Sequence, residues 1–159
     1  MISAHMADAP DSIDLRLLAE LQRDARLTHQ ELSDKVGLSP SPCARRVRQL
    51  ETRGFIRGYS ALIDEARMGF GFSVFVSVKL DHQTDDRLMS FERAVALYPE
   101  IVDCWLMTGN RDYLLRISVA DLNEFERFLT GRLTKVPGVA SLESSIPIRR
   151  VKGPGGRLA

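Results

Sequence analysis

From Ile13 onward the apolar residues Ile13, Leu17, Leu18 and Leu21 recur at three- and four-residue intervals, the spacing of one helix face. Asp11 or Ser12 stands just ahead, where a side-chain oxygen can accept from an otherwise orphan N–H. Thr28, followed three residues later by Glu31, forms a capping-box pattern. It predicts a short second helix over Glu31–Val36, ended by Gly37, since glycine enters the left-handed conformation at little cost. A third helix begins inside Gly37–Glu51, GLSPSPCARRVRQLE. Either Ser39 caps it with Pro40 in first position, or Ser41 caps it with Pro42 first. In both cases the prolines fall where backbone N–H groups have no intrahelical partner, so they mark a start rather than a break. Three helices this close together, with a glycine turn before the third, have helix-turn-helix spacing.

Past Arg53-Gly54 the period changes to two. FIRGYSALID reads as a short hairpin in the position of a wing. Residues 64–71, DEARMGFG, read as a hinge. FSVFVSVKL then alternates strictly, with Val74, Val76, Val78 and Leu80 on one side. Leu88, Phe91, Val95 and Tyr98 return to helical spacing, and IVDCWLM and DYLLRISV form two strands joined by the TGNR turn. Leu122, Phe125, Leu129, Leu133 and Val136 line a second helix, and VASLESSIPIRRV makes a last strand. The order β-α-β-β-α-β is the ferredoxin-like plan, whose sheet carries helices on one face only. Phe75 points to the other face, which predicts that a second subunit meets it.

The expected fold class is therefore α+β: a winged helix-turn-helix domain over 11–63, a hinge over 64–71 and a ferredoxin-like domain over 72–152. Residues 1–10 read as a tag remnant without structure, and 153–159 as a flexible tail.

Composition changes this picture little. The 159 residues are 44% apolar and 27% charged, an ordinary soluble balance. No apolar run approaches the ~18–20 residues that span a bilayer, and the first residues lack the apolar segment of a secretory signal. Cys43 and Cys104 make neither a disulfide framework nor a zinc site, which fits a reducing cytoplasmic setting. The distribution of charge says more. Residues 1–38 hold four Lys/Arg and seven Asp/Glu, whereas 39–59 hold five Arg and a single Glu. Such concentration of positive charge suits a polyanion.

At 100° per residue, Cys43, Val47 and Leu50 form one apolar stripe, and Ser41, Arg45, Arg48 and Thr52 lie opposite. Arg46 and Gln49 sit on the flank. A helix that offers hydroxyls at its start and arginines along one side can enter a major groove. Arginine bonds guanine O6 and N7 together, while Ser39, Ser41 and the first-turn backbone around Pro42 can approach phosphate. Flanking Arg46 is equally suited to brace the fold through an acid such as Asp34 or Glu51. Arg57, in the wing, could touch phosphate or the minor groove. Double-stranded DNA is the partner these residues predict.

The stretch GLSPSPCARRVRQLETRGFIRGY resembles the helix-turn-helix signature of the Lrp/AsnC family, the leucine-responsive regulatory proteins and asparagine regulators. TGNRDYLL matches that family's Gly-x-x-Asp-Tyr segment, so the resemblance runs from about Asp11 to Lys152. It implies a transcription regulator with a DNA-binding N-terminal domain and a C-terminal domain that dimerises and senses amino acids. It also implies higher assemblies of dimers, often octamers. The effector would sit between dimers, against the turn Thr108, Gly109, Asn110, Arg111 and Asp112, with Ser144 from the last strand. Turn amides can hold a carboxylate and Asp112 can pair with an α-ammonium group. Leu106, Met107 or Leu122 would select the side chain. The family often has an acidic residue where Asn110 stands, and Arg111 adds a charge that would favour an acidic or polar ligand. No metal or cofactor is expected.

Catalysis finds few instruments here. His5, His29 and His82 share no motif spacing, and no glycine loop with lysine cradles a phosphate. The enzyme alternative is a sirohaem-decarboxylase-like subunit, which also resembles this family. A further alternative, a stand-alone amino-acid-binding module, leaves the sorted arginines without a role.

Overall fold

The computed structural model describes residues 9–153; all but residues 9 and 10 of the expected remnant at 1–10, and all but residue 153 of the expected tail at 153–159, lie outside the described residues. The chain divides into two compact units, one reaching Leu62 and the other running from Ile63 to Val151.

The first unit holds three helices: α1 (Ser12–Arg23), α2 (His29–Val36) and α3 (Pro40–Thr52). Asp11 caps α1, accepting from the amides of Ile13 and Asp14 while Asp14 reaches back to the Asp11 amide. Thr28 and Glu31 make the same reciprocal box on α2, and Gly37 ends it at φ 72°. Ser39 is the cap residue of α3 with Pro40 next, although its hydroxyl makes no capping bond. Leu17, Leu32, Val36, Cys43, Val47 and Leu50 form the core, and Ile56 packs onto its edge.

The expected hairpin is absent among the described residues. Phe55 and Ile56 donate back to the Leu50 carbonyl, and the Tyr59 hydroxyl donates to Glu51. The stretch is thus recruited to the end of α3, and residues 57–63 carry no ladder of their own. The alternating pattern signalled an extended backbone and not a turn closing on itself.

The second unit is a four-stranded antiparallel sheet of order β2-β3-β1-β4, from β1 (Phe72–Leu80), β2 (Ile101–Leu106), β3 (Tyr113–Val119) and β4 (Val139–Ser145). Helices α4 (Asp85–Val95) and α5 (Leu122–Gly131) supply the covered face. Val74, Val76, Val78 and Leu80 are buried there with Phe91, Leu115, Ile117, Phe125 and Phe128. Two elements are shorter than their apolar patterns predict. Gly131 ends α5, and Leu133 reaches the core from a 3₁₀ turn over Leu133–Lys135. Pro147 lacks the N–H that a ladder needs, and β4 stops at Ser145.

The segment read as a hinge belongs to this unit. Glu65 accepts two parallel bonds from Arg116 of β3, both 2.9 Å, and the Ser118 hydroxyl bonds Glu65 and the Phe70 carbonyl. Glycines at 69 and 71 signalled freedom, but the bonds that Glu65 of this segment accepts from Arg116 of the sheet decide the outcome.

Candidate DNA interface and effector site

Helix α3 sorts its side chains as its periodicity predicts. Cys43, Val47 and Leu50 are buried, while Ser39, Ser41, Arg45, Arg48 and Gln49 are exposed and Pro42 is half-buried. Neither the Arg45 nor the Arg48 guanidinium takes a hydrogen bond or ion pair among the described residues. Both are therefore available to an outside anion. Arg57 is exposed beyond the helix.

Arg46 differs. Its Nη1 donates to Asp14 Oδ1 at 2.7 Å and to Asp11 Oδ2 at 2.8 Å. It braces α3 against the start of α1, through Asp11 and Asp14 rather than Asp34 or Glu51. The hydrogen bonds hold Arg46 above its ordinary value, and Asp11 falls below the usual carboxylate value through the Asp14 amide and then Arg46. Arg46 accordingly leaves the candidate DNA contacts. The sequence carried the signal, since Asp11 and Asp14 are the two acids of the first capping box.

In the second unit, strand registers reveal which predicted effector residues share a face. One row on the helix side runs Leu106, Tyr113, Val78, Leu142, and the next runs Cys104, Leu115, Val76, Ser144. On the opposite face one row runs Trp105, Leu114, Ser77, Glu143, and another runs Asp103, Arg116, Phe75, Ser145. Leu106 and Ser144 thus lie on the helix side. Leu106 joins Cys104, Glu92 and Tyr113 around a cavity of about 310 Å³. Arg111 reaches the other face: Nη1 donates to Ser141 at 2.9 Å and Nη2 to Glu143 at 2.6 Å. One protomer does not bring Ser144 and Arg111 together.

The turn is well anchored at its stem. The Met107 amide donates to the Asp112 carbonyl and the Asp112 amide to the Val78 carbonyl, each at 2.8 Å. Between them lie Thr108, Gly109 at φ 109°, where a side chain would be strained, and Asn110, all exposed. Exposed Leu122 begins α5.

Asp112 does not face this opening. It is buried, and its carboxylate accepts from the Leu80 amide at 2.7 Å, from Lys79 Nζ at 3.2 Å and from Gln83 Nε2. Burial pushes its acidity down, but these donors win and hold its pKa below the usual value. Its acceptor sites are occupied within the fold, so its place as the α-ammonium partner is withdrawn. Lys79, Gln83, Ser141 and Glu143 were missed; the period of β4, which aligns Ser141 with Glu143, was the available signal.

A helix-turn-helix with free arginines, attached in sequence to a ferredoxin-like domain with an anchored, exposed turn, defines a ligand-responsive DNA-binding protein. Residues 10–57 match the family model described as winged helix-turn-helix DNA-binding, and 73–156 match the Lrp/AsnC ligand binding domain. The chain is similar to the Bkd operon transcriptional regulator of Pseudomonas aeruginosa, 46% identical across 89% of this chain and 92% of that protein. It is 40% identical to the leucine-responsive regulatory protein of Escherichia coli, across 89% of this chain and 87% of that one. Its structure resembles a Neisseria meningitidis transcriptional regulator solved as an L-Met complex. That match has a TM-score of 0.87 and 36% identity, covering 91% of this chain and 94% of the other. The chain belongs to the Lrp/AsnC family of transcription regulators.

Proposed function

We propose that this regulator reads double-stranded DNA through Arg45 and Arg48, and that a free amino acid bound at the Thr108–Arg111 turn changes its assembly and thereby its DNA contacts. The observation that carries the DNA half is the division of α3: Arg46 is consumed by Asp11 and Asp14, while Arg45 and Arg48 face outward without partners among the described residues. Ser39, Ser41, Pro42, Gln49 and Arg57 form the surrounding contact surface. The effector half rests on the exposed turn and on the relatives named for leucine response or solved with L-Met.

Copies of the chain are proposed to pair on the sheet face away from the helices, where Trp105 and Phe75 stand beside Leu114, and to build larger assemblies such as an octamer from those pairs. An effector shifts such an equilibrium only if it binds the two assemblies with different affinity. Catalysis is not proposed: the relatives are named as regulators, and His82 has only Asp81 as an ionic neighbour among the described residues. Among the described residues, no helix is long and apolar enough to cross a membrane.

The deciding experiment is a thermal-shift screen against each of the twenty amino acids, with particle mass and operator affinity measured with and without the hits. A hit that changes mass and affinity together supports the reading. A chain that binds DNA and responds to none of the twenty removes the effector half.

A further inference from the structure

The Arg111–Glu143 pair is an odd investment if it serves the fold alone. It joins the β2–β3 turn to an edge strand across the end of β1, yet Glu143 is 64% exposed, and exposed pairs contribute little to stability. Its geometry leaves much unused. Arg111 carries five N–H donors, and two are spent, on Ser141 and Glu143. Glu143 uses Oε2, and its Oε1 accepts nothing among the described residues. A donor fork and an open carboxylate oxygen therefore lie side by side at the β4 edge of the sheet, next to the exposed turn.

We infer that Arg111 and Glu143 hold the two charged ends of the effector, the α-carboxylate on the Arg111 guanidinium and the α-ammonium on Glu143. This rests on the proposed reading that a free amino acid binds at the turn. The pair selects for ligands that carry both charges close together. A lone carboxylate meets the Glu143 charge beside its partner, and a lone amine meets Arg111, so each half-ligand brings repulsion with its attraction. A zwitterion satisfies both. The assignment replaces Asp112, whose oxygens are occupied, and it changes what Arg111 signifies: with Glu143 beside it, the cation marks a zwitterion site and not a preference for acidic side chains.

The test uses the full chain and the amino acid that gives the largest shift among the twenty, titrated calorimetrically beside its amino alcohol, which lacks the carboxylate, and its deamino acid, which lacks the ammonium. Both analogues should bind wild type about tenfold or more weaker, the loss expected for one charged hydrogen-bonding partner. Arg111→Met should bind the amino acid weakly and cease to discriminate against the amino alcohol, while still rejecting the deamino acid. Glu143→Gln should show the reverse. A role confined to bracing the turn weakens all three ligands alike and overturns the assignment. So does undiminished binding by both variants. If wild type binds none of the twenty, the effector reading itself fails, and this assignment with it.

Discussion

The Arg46 guanidinium donates to the carboxylate of Asp14 across 2.7 Å, and Asp14 is buried. One bond thus ties the third helix to the capping box of the first and settles which arginines of the cluster remain for DNA. Replacing Arg46 with Met keeps the stem but takes from buried Asp14 the donor to its Oδ1, leaving Oδ2 with the Asp11 amide and with Arg53 at 4.0 Å. The expected loss is about 1–3 kcal/mol in the first unit, because an unsatisfied buried acceptor retains its full desolvation cost. Thermal unfolding checks it. The salt dependence of DNA binding by the folded fraction should match that of wild type, since no phosphate contact has been lost.

Asp112 calls for a different expectation from the one its motif suggests. Its removal leaves the Leu80 amide buried without an acceptor and frees Lys79 and Gln83. Asp112→Ala should lower the stability of the second unit by about 1–3 kcal/mol. Asp112→Asn, which keeps one acceptor oxygen, should recover part of it. Urea unfolding followed by Trp105 fluorescence reports on this unit, because Trp105 is the chain's single tryptophan. A stable Asp112→Ala protein would return the carboxylate to the list of ligand contacts.

The Arg116 clasp on Glu65 carries a pH dependence. Hydrogen bonds from Arg116, and then from Ser118, hold Glu65 below its ordinary value of 4.5. A depressed carboxylate contributes stability that is present above the unfolded value and is lost as pH falls through the folded one. The midpoint difference between wild type and Glu65→Gln should be constant above about pH 5, begin to shrink below about 4.5 and disappear only once the pH has fallen through the lower folded value. Denaturant titrations of both proteins at stepped acid pH measure it. A constant difference down to low pH would show that the clasp is not ionic.

Local patterns made most of this architecture legible. Asp11, Thr28 with Glu31, and Gly37 bound their helices as their chemistry requires, and the alternation of Val74, Val76, Val78 and Leu80 located the core strand. Contacts between distant residues were less accessible. Arg46 meets an acid 32 positions away, and Arg116 meets one 51 positions away, so helix phase can say that an arginine leaves the exposed face without saying which acid receives it. Asp112 was misread for the same reason. A turn motif places an aspartate at a strand entry, and only the neighbouring strand, by offering the Leu80 amide, turns it inward. Ser144 was separated from Arg111 by pleat alone, because one residue of register exchanges the two faces of a sheet.

Arg45 and Arg48 lie three residues apart on the exposed side of α3, where both can reach one stretch of groove. A guanidinium that reads a base and one that neutralises a phosphate behave differently on removal. Truncating a base reader should cost about 1–3 kcal/mol on the preferred site and little on unrelated DNA, which flattens base preference at one position. Truncating a phosphate contact weakens every sequence alike and reduces the slope of log affinity against log salt by about one. For both Arg45→Ala and Arg48→Ala the outward, unpaired side chains predict loss of sequence preference with the folded state unchanged. Affinity for a selected operator and for scrambled DNA, each measured over a range of salt, separates the two roles residue by residue. Equal weakening on both DNAs would reassign that arginine to phosphate, and unchanged binding would remove it from the interface.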